Sequence, residues 1–139
     1  MGDDKKPRVL FFVEDELDIV ALYTTAFEDG GFVVDNVTNG REAIERLEYF
    51  VEADVERPNV MILDILLPDA SGMEILQEVR KRPLFDHTPV IMFTNFSSDE
   101  LREEIRKIPS TEYLLKMEVT PEQLVHKVKG MLGIEPLTE

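Results

Sequence analysis

Five polar residues stand where they could do chemistry together: Glu14, Asp15, Asp64, Thr94 and Lys116. Each closes a short apolar run. Glu14 and Asp15 follow VLFFV, Asp64 follows VMIL, Thr94 ends VIMFT, and Lys116 follows Tyr113, Leu114 and Leu115. Short apolar runs bounded by turn signals read as strands buried on both faces, as in a parallel sheet. An acid at the end of such a strand cannot share its apolar surroundings, so it lies where the chain leaves the core or it is paired. In open α/β sheets ligands bind just beyond the carboxyl ends of the strands. If these runs lie parallel, three carboxylates, a hydroxyl and an ammonium converge on one edge. Two carboxylates about 4 Å apart repel by about 4 kcal/mol at an effective dielectric near 20. Such a cluster takes up a proton or binds a cation, and oxygen ligands with room for water suit Mg²⁺. Taken singly, Lys116 is a solvated lysine, Thr94 a turn hydroxyl and the acid pair a helix N-terminal charge. The chemistry rests on their joint placement.

The intervening segments must position these residues. From Glu16 the apolar period becomes helical, with Ile19, Tyr23 and Phe27 on one line and Val20 and Leu22 beside them, until Gly30 and Gly31. A short strand is expected at 32–37. Asn39 with Glu42 marks a helix start, and Ala43, Ile44, Leu47 and Val51 form its apolar face. A polar segment, 52–59, returns the chain to the strand beginning at Val60. The turn after Asp64 contains Pro68 and closes at Gly72. Ile75, Leu76 and Val79 then predict a helix ended before Pro83, and Pro89 precedes the fourth strand. Ser97 and Glu100 read as a capping box for a helix carrying Leu101, Ile105 and Ile108, which Pro109 ends. Thr120, Pro121 and Gln123 start a last helix, with Leu124, Val128 and Met131, running to Gly133.

Five strands alternating with five helices predict an α/β fold: a doubly wound parallel sheet with right-handed crossovers. The flavodoxin-like strand order 2-1-3-4-5 is the natural five-stranded solution. One domain is expected at 7–133, with tails at 1–6 and 134–139.

Composition narrows the function. The chain has 139 residues, 43% of them hydrophobic, and a formal charge of −14 from 29 acids against 15 basic residues. That field repels phosphate backbones, so direct nucleic-acid binding is not expected. Without cysteine there is no disulfide, thiolate metal site or cysteine nucleophile. The apolar runs are far shorter than a membrane span, and MGDDKKPR lacks the apolar centre of a signal peptide. No membrane insertion and a cytoplasmic location are the expectation.

The ordered set resembles the receiver domain of two-component response regulators, over about residues 8–132. Its acidic pair is Glu14 and Asp15. Its phosphoacceptor, followed by a loop with proline and glycine, is Asp64 with Pro68 and Gly72. Its strand 4 hydroxyl is Thr94, its strand 5 lysine is Lys116, and its aromatic switch position is Tyr113. The resemblance implies a phosphorylation-dependent signalling switch that promotes its own phosphorylation, not an enzyme acting on other molecules. Asp64 would attack the phosphohistidine of a sensor histidine kinase or phosphotransfer protein. Mg²⁺ would be held by Asp15, Asp64 and the backbone carbonyl of Leu66, with Glu14 acting through water. Lys116 and Thr94 would hold phosphoryl oxygens. Tyr113 would follow Thr94 inward and change the face made by helix 4, strand 5 and helix 5, which regulates a downstream protein. A monomer or a phosphorylation-dependent dimer is implied. The exposed residues Arg102, Arg106, Lys127 and Lys129 are where a partner is expected.

The chain departs from the family at several places. Asn95 follows Thr94 where a small residue is usual, Pro109 and Ser110 replace a glycine-alanine pair, and Met117 follows Lys116 where a proline, often cis, is usual. Leu66 and Phe96 occupy positions that influence water attack in this family; both are bulky and apolar, which implies slow loss of the phosphoryl group. A haloacid-dehalogenase-like phosphatase needs a second acid two residues after its nucleophile, where Leu66 stands. A flavodoxin-like FMN binder needs a hydroxyl- and glycine-rich loop after strand 1, where EDELD stands. No P-loop or dinucleotide glycine pattern occurs, and His87 and His126 lack any metal-ligand spacing. The remaining alternative is a receiver-like protein-binding module that works without phosphorylation.

Overall fold

Short continuous apolar runs and helical stripes alternate along the chain, and they form strands and helices in turn. The computed structural model describes residues 7–134; the tail expected at 1–6, and all but Ile134 of that at 134–139, lie outside the described residues. The strands are β1 (Arg8–Val13), β2 (Phe32–Val37), β3 (Val60–Leu63), β4 (Val90–Thr94) and β5 (Thr111–Leu115). The helices are α1 (Leu17–Asp29), α2 (Gly40–Glu52), α3 (Gly72–Arg80), α4 (Asp99–Arg106) and α5 (Pro121–Met131). The strands form one sheet in the order β2-β1-β3-β4-β5, every pair parallel. The parallel sheet is the one expected from the alternation, and its order is the flavodoxin-like one.

Successive strand residues feed opposite faces of the sheet. Leu10 and Phe12 of β1 join a core with Tyr23 and Phe27 of α1 and Leu124 and Val128 of α5. Phe11 and Val13 join the other core, with residues of α2, α3 and α4. The central strands are therefore apolar throughout, and only their ends are free to carry polar groups. No helix among the described residues is long and apolar enough to cross a membrane.

Helix starts follow the capping residues, with one correction. Asn39 accepts the Glu42 amide, and Ser71 and Thr120 complete reciprocal capping boxes with Glu74 and Gln123. α4 is capped by Ser98, whose hydroxyl accepts the Leu101 amide at 3.1 Å, and not by Ser97. A cap reaches an amide two or three residues on, and the phase set by burying Ile105 puts Leu101 at that place. On α2 the buried line is Ala43, Leu47 and Phe50, while Val51 is exposed. The Phe50 ring meets Phe11 edge to face at 5.4 Å between centroids, so the larger side chain takes the inward place. Leu22 of α1 also faces outward.

A short 3₁₀ turn, Pro83–Phe85, lies between α3 and β4 and buries Phe85. Arg80 binds it to the sheet: its guanidinium donates to the carbonyls of Phe85 (2.7 Å), Thr88 (3.1 Å) and Ser110 (2.9 Å). The sequence pattern marked neither feature.

Candidate functional site

The β1 and β3 ladders run one residue past the strands. The Glu14 amide donates to the Val37 carbonyl at 3.0 Å, and the Asp64 amide donates to the Val13 carbonyl at 3.0 Å. The two acids are thereby set side by side at the carboxyl edge. Carboxylate oxygens of Glu14, Asp15 and Asp64 lie within 4.8 Å of one another. Glu14 is fully buried and Asp64 nearly so, while Asp15 is half-buried. From β5, Lys116 brings its ammonium to 2.8 Å from Glu14 Oε1 and 3.0 Å from Asp64 Oδ2. Thr94, buried, lines the same cleft as Asp15, Asp64, Leu66 and Lys116.

The electrostatics follow from burial and close charge. Burial pushes the Glu14 carboxyl above the usual carboxylate range, against the pull of Lys116. Burial also pulls Lys116 down, but its contacts with Glu14 and Asp64 outweigh that and hold the ammonium protonated well above the usual lysine range. One ammonium does not saturate the acids. Glu14 Oε1 is buried with no aligned hydrogen-bond donor among the described residues, although Lys116 lies at ion-pair distance. Together Glu14, Asp15 and Asp64 offer a set of carboxylate oxygens for a hard cation, and its all-oxygen composition suits Mg²⁺.

Glu16 is a further participant. Its amide donates to Glu14 Oε2 at 3.1 Å, and its carboxylate Oε1 lies 3.4 Å from the Lys116 ammonium. It stands at the N-cap of α1 but makes no side-chain cap there. The run EDE carries it in the sequence, but only the fold shows that it turns toward strand 5.

The loop after Asp64 is folded tightly. The Leu66 amide donates to Asp64 Oδ1 at 3.2 Å, the Leu67 amide reaches the Ala70 carbonyl at 3.3 Å, and the Gly72 amide reaches the Ile65 carbonyl at 2.8 Å. A β-carbon at Gly72 would lie 2.1 Å from the Asp64 carbonyl oxygen, so only glycine allows this closure. Asp69 anchors the loop tip to the start of α2, accepting the Gly40 amide at 2.7 Å and the Arg41 amide at 3.1 Å. Those two backbone hydrogen bonds hold its carboxyl below the usual range. Nothing in the sequence flagged Asp69.

On the other side of the cleft, Thr94 and Tyr113 are joined through one residue. The Phe96 amide donates to Thr94 Oγ1 at 3.2 Å, and the Tyr113 hydroxyl donates to the Phe96 carbonyl. The Arg102 guanidinium stacks over the Tyr113 ring, 4.5 Å from its centroid. The basic residues expected to form a partner face are partly engaged within the chain: Arg106 pairs with Glu103, and Lys127 with Glu112 at 2.8 Å. His87 and His126 are exposed, away from the cleft. No cis peptide bond occurs among the described residues, and residues Lys116–Glu118 form a 3₁₀ turn.

A family model described as the response regulator receiver domain matches residues 10–129. The chain belongs to that family. Receiver relatives include the phosphate regulon transcriptional regulatory protein PhoB of Rhizobium meliloti, 36% identical over 86% of this chain and 50% of its own length. The response regulator SaeR of Staphylococcus aureus is 29% identical over 88% of this chain and 50% of its own length. The chain thus spans about half the length of these curated relatives. Among solved structures, the chemotaxis response regulator CheY4 of Vibrio cholerae superposes with a TM-score of 0.76 at 26% identity, over 91% of this chain and 99% of that one. A CheY-like receiver domain protein of Methanospirillum hungatei gives a TM-score of 0.77 at 26% identity, over 92% and 95%. The receiver fold and membership of the response regulator receiver family are thereby established for this chain.

Proposed function

We propose that the receiver, taken as residues 7–133, is a phosphorylation-dependent switch with Asp64 as its phosphoacceptor. The observation that carries this reading is the buried Asp64 carboxylate, 3.0 Å from the Lys116 ammonium and grouped with Glu14 and Asp15, in a chain of this family. An Asp64 oxygen attacks the phosphorus of a phosphohistidine on a partner kinase or phosphotransfer protein. The O–P bond forms as the P–N bond breaks, the electron pair leaves on the partner's imidazole, and an acyl phosphate results. Lys116 passes from the carboxylate to a phosphoryl oxygen. The Thr94 hydroxyl, whose oxygen accepts from Phe96, keeps its own proton to donate to another.

Asp15, Asp64 and the Leu66 carbonyl would hold Mg²⁺, with Glu14 acting through water. When bound, the ion offsets the negative charge on the transferring group. Movement of Thr94 toward the phosphoryl group draws on the Phe96 peptide and so on Tyr113. The surface of α4, β5 and α5 changes for a downstream protein, in a monomer or a phosphorylation-dependent dimer, in the cytoplasm. Leu66 and Phe96 stand exposed at the mouth and offer an attacking water no hydrogen-bonding side chain, which favours slow hydrolysis.

Intact mass after incubation with acetyl phosphate, with and without Mg²⁺ and beside Asp64→Asn, tests the reading. One Mg²⁺-dependent phosphoryl adduct, lost in the variant, is expected. A folded chain that takes up none would instead be a protein-binding module working without phosphorylation.

A further inference from the structure

Two loops bound the cleft on its hydroxyl and ammonium side. Residues 95–98 lead from Thr94 into α4, and residues 116–120 lead from β5 into α5. The Asn95 side chain joins them. Its Oδ1 accepts the Met117 amide at 3.1 Å, across 22 residues of sequence. Asn95 directly follows Thr94, and Met117 directly follows Lys116.

The bond answers a local need on each side. The first amides of any helical turn have no partner within it, and Met117 lies in the first positions of the 3₁₀ turn Lys116–Glu118. Asn95 therefore caps that turn from another loop. Both residues at the contact are necessary for it: a proline at 117 would carry no amide hydrogen, and a small side chain at 95 would carry no acceptor. The side chain of Met117 contributes no packing to the bond, being 76% exposed. What position 117 supplies is its backbone amide.

We propose that Asn95 is a positioning residue: by capping the Met117 amide it fixes the Thr94 hydroxyl relative to the Lys116 ammonium at the phosphoryl site. The proposal rests on the phosphoacceptor reading of Asp64. Thr94 ends β4 and Lys116 opens the turn after β5, and this bond ties the residue after the one to the residue after the other. Without it, the 95–98 loop keeps its ties to Thr94 and, through Phe96, to Tyr113 of β5, but loses its tie to the 3₁₀ turn that Lys116 opens. The β4–β5 ladder, with Thr94 opposite Leu115, still sets the strand ends, but the turn beyond it that carries the Lys116 ammonium is less fixed, and rate is lost through orientation.

The test is a double-mutant cycle read by phosphorylation with phosphoramidate at saturating Mg²⁺. Asn95→Ala is expected to lower the maximal rate about threefold to tenfold, the worth of one net hydrogen bond, with the half-saturating donor concentration unchanged. Asn95→Asp keeps the acceptor and, read at high ionic strength to screen its charge, is expected to recover most of the rate. In a Met117→Pro background, Asn95→Ala is expected to cost nothing further. Amide exchange on folded Asn95→Ala, where the Met117 amide should lose protection, supplies a readout independent of the proline variant. Unchanged rate in Asn95→Ala, failure of Asn95→Asp to recover it, an equal cost in both backgrounds, or unchanged Met117 exchange would each overturn the positioning role. A parent chain that takes up no phosphoryl group overturns the phosphoacceptor reading, and this one with it.

Discussion

Lys116 reaches past β4 to Asp64: the ammonium at the end of β5 lies 3.0 Å from a carboxylate at the end of β3, with Thr94 on the strand between. Both partners are nearly fully buried, and Glu14 shares the same ammonium. Replacing one member of a buried charged group leaves the others uncompensated, at a cost of about 3 to 5 kcal/mol. Lys116→Gln is therefore expected to unfold at markedly lower urea at neutral pH. Millimolar Mg²⁺ should recover part of that loss, because the cation offsets the same carboxylates. Equal midpoints for the parent and the variant in the absence of Mg²⁺ would show that the acids are neutral in the folded protein.

Gly72 is required by contact and not by backbone conformation. Gly72→Ala places a methyl group 2.1 Å from the Asp64 carbonyl oxygen, and the neighbouring contacts are also backbone. The loop must shift, with an expected destabilisation of about 3 kcal/mol. Urea unfolding measures it, and the phosphorylation rate should fall in the same variant because the displaced carbonyl belongs to Asp64, the proposed phosphoacceptor. A loss under about 1 kcal/mol would mean that the loop yields freely.

Asp69 gives a pH signature. Hydrogen bonds from the Gly40 and Arg41 amides lower its folded-state pKa below the ordinary 3.8. A carboxyl depressed in this way stabilises the fold fully above its unfolded value and loses that contribution as pH falls through its folded value. Asp69→Ala should be less stable than the parent at pH 7, and the gap should close on acidification below about pH 3.8. Chemical denaturation from pH 7 to pH 3 checks this. A gap constant over that range would assign the loss to packing instead of charge.

Leu66 stands 61% exposed at the mouth of the cleft. Leu66→Asn supplies an amide able to orient an attacking water, and phosphoryl loss from Asp64 is expected to speed up by about tenfold, roughly one hydrogen bond in the transition state. The half-life of the phosphorylated species by intact mass is the measurement. An unchanged half-life would remove Leu66 from the control of hydrolysis.

The strands were legible because apolar runs such as VMIL and VIMFT have no other place than a sheet covered on both faces, whereas their order came from the known flavodoxin-like arrangement and not from the runs themselves. The polar residues ending them were legible for the same reason: a charge cannot continue such a run. Side-chain direction was less accessible. Ser97 and Ser98 offer the same hydroxyl, and only the phase fixed by Ile105 selects Ser98. Phe50 and Val51 are equally apolar, and the ring of Phe11 decides between them. Contacts between distant loops left no local periodic signal at all. Asp69 on α2, Glu16 on Lys116 and Arg80 on the carbonyls of Phe85, Thr88 and Ser110 pair residues 28 or more positions apart, or fasten irregular chain that has no pattern to read.

The hold of Asp69 on α2 makes the cleft mechanically lopsided. The jaw carrying Asp64 and Leu66 is clamped at its tip to a helix and closed at its base by a glycine with no room to move. The opposite jaw, residues 95–98, hangs on Phe96 and Asn95, through single hydrogen bonds to side chains or from one amide. A phosphoryl group added at Asp64 would push against a stiff wall on one side and a compliant one on the other. Displacement would be channelled toward Tyr113 and α4, so the direction in which the molecule reports its state is set by which of its loops is the softer spring.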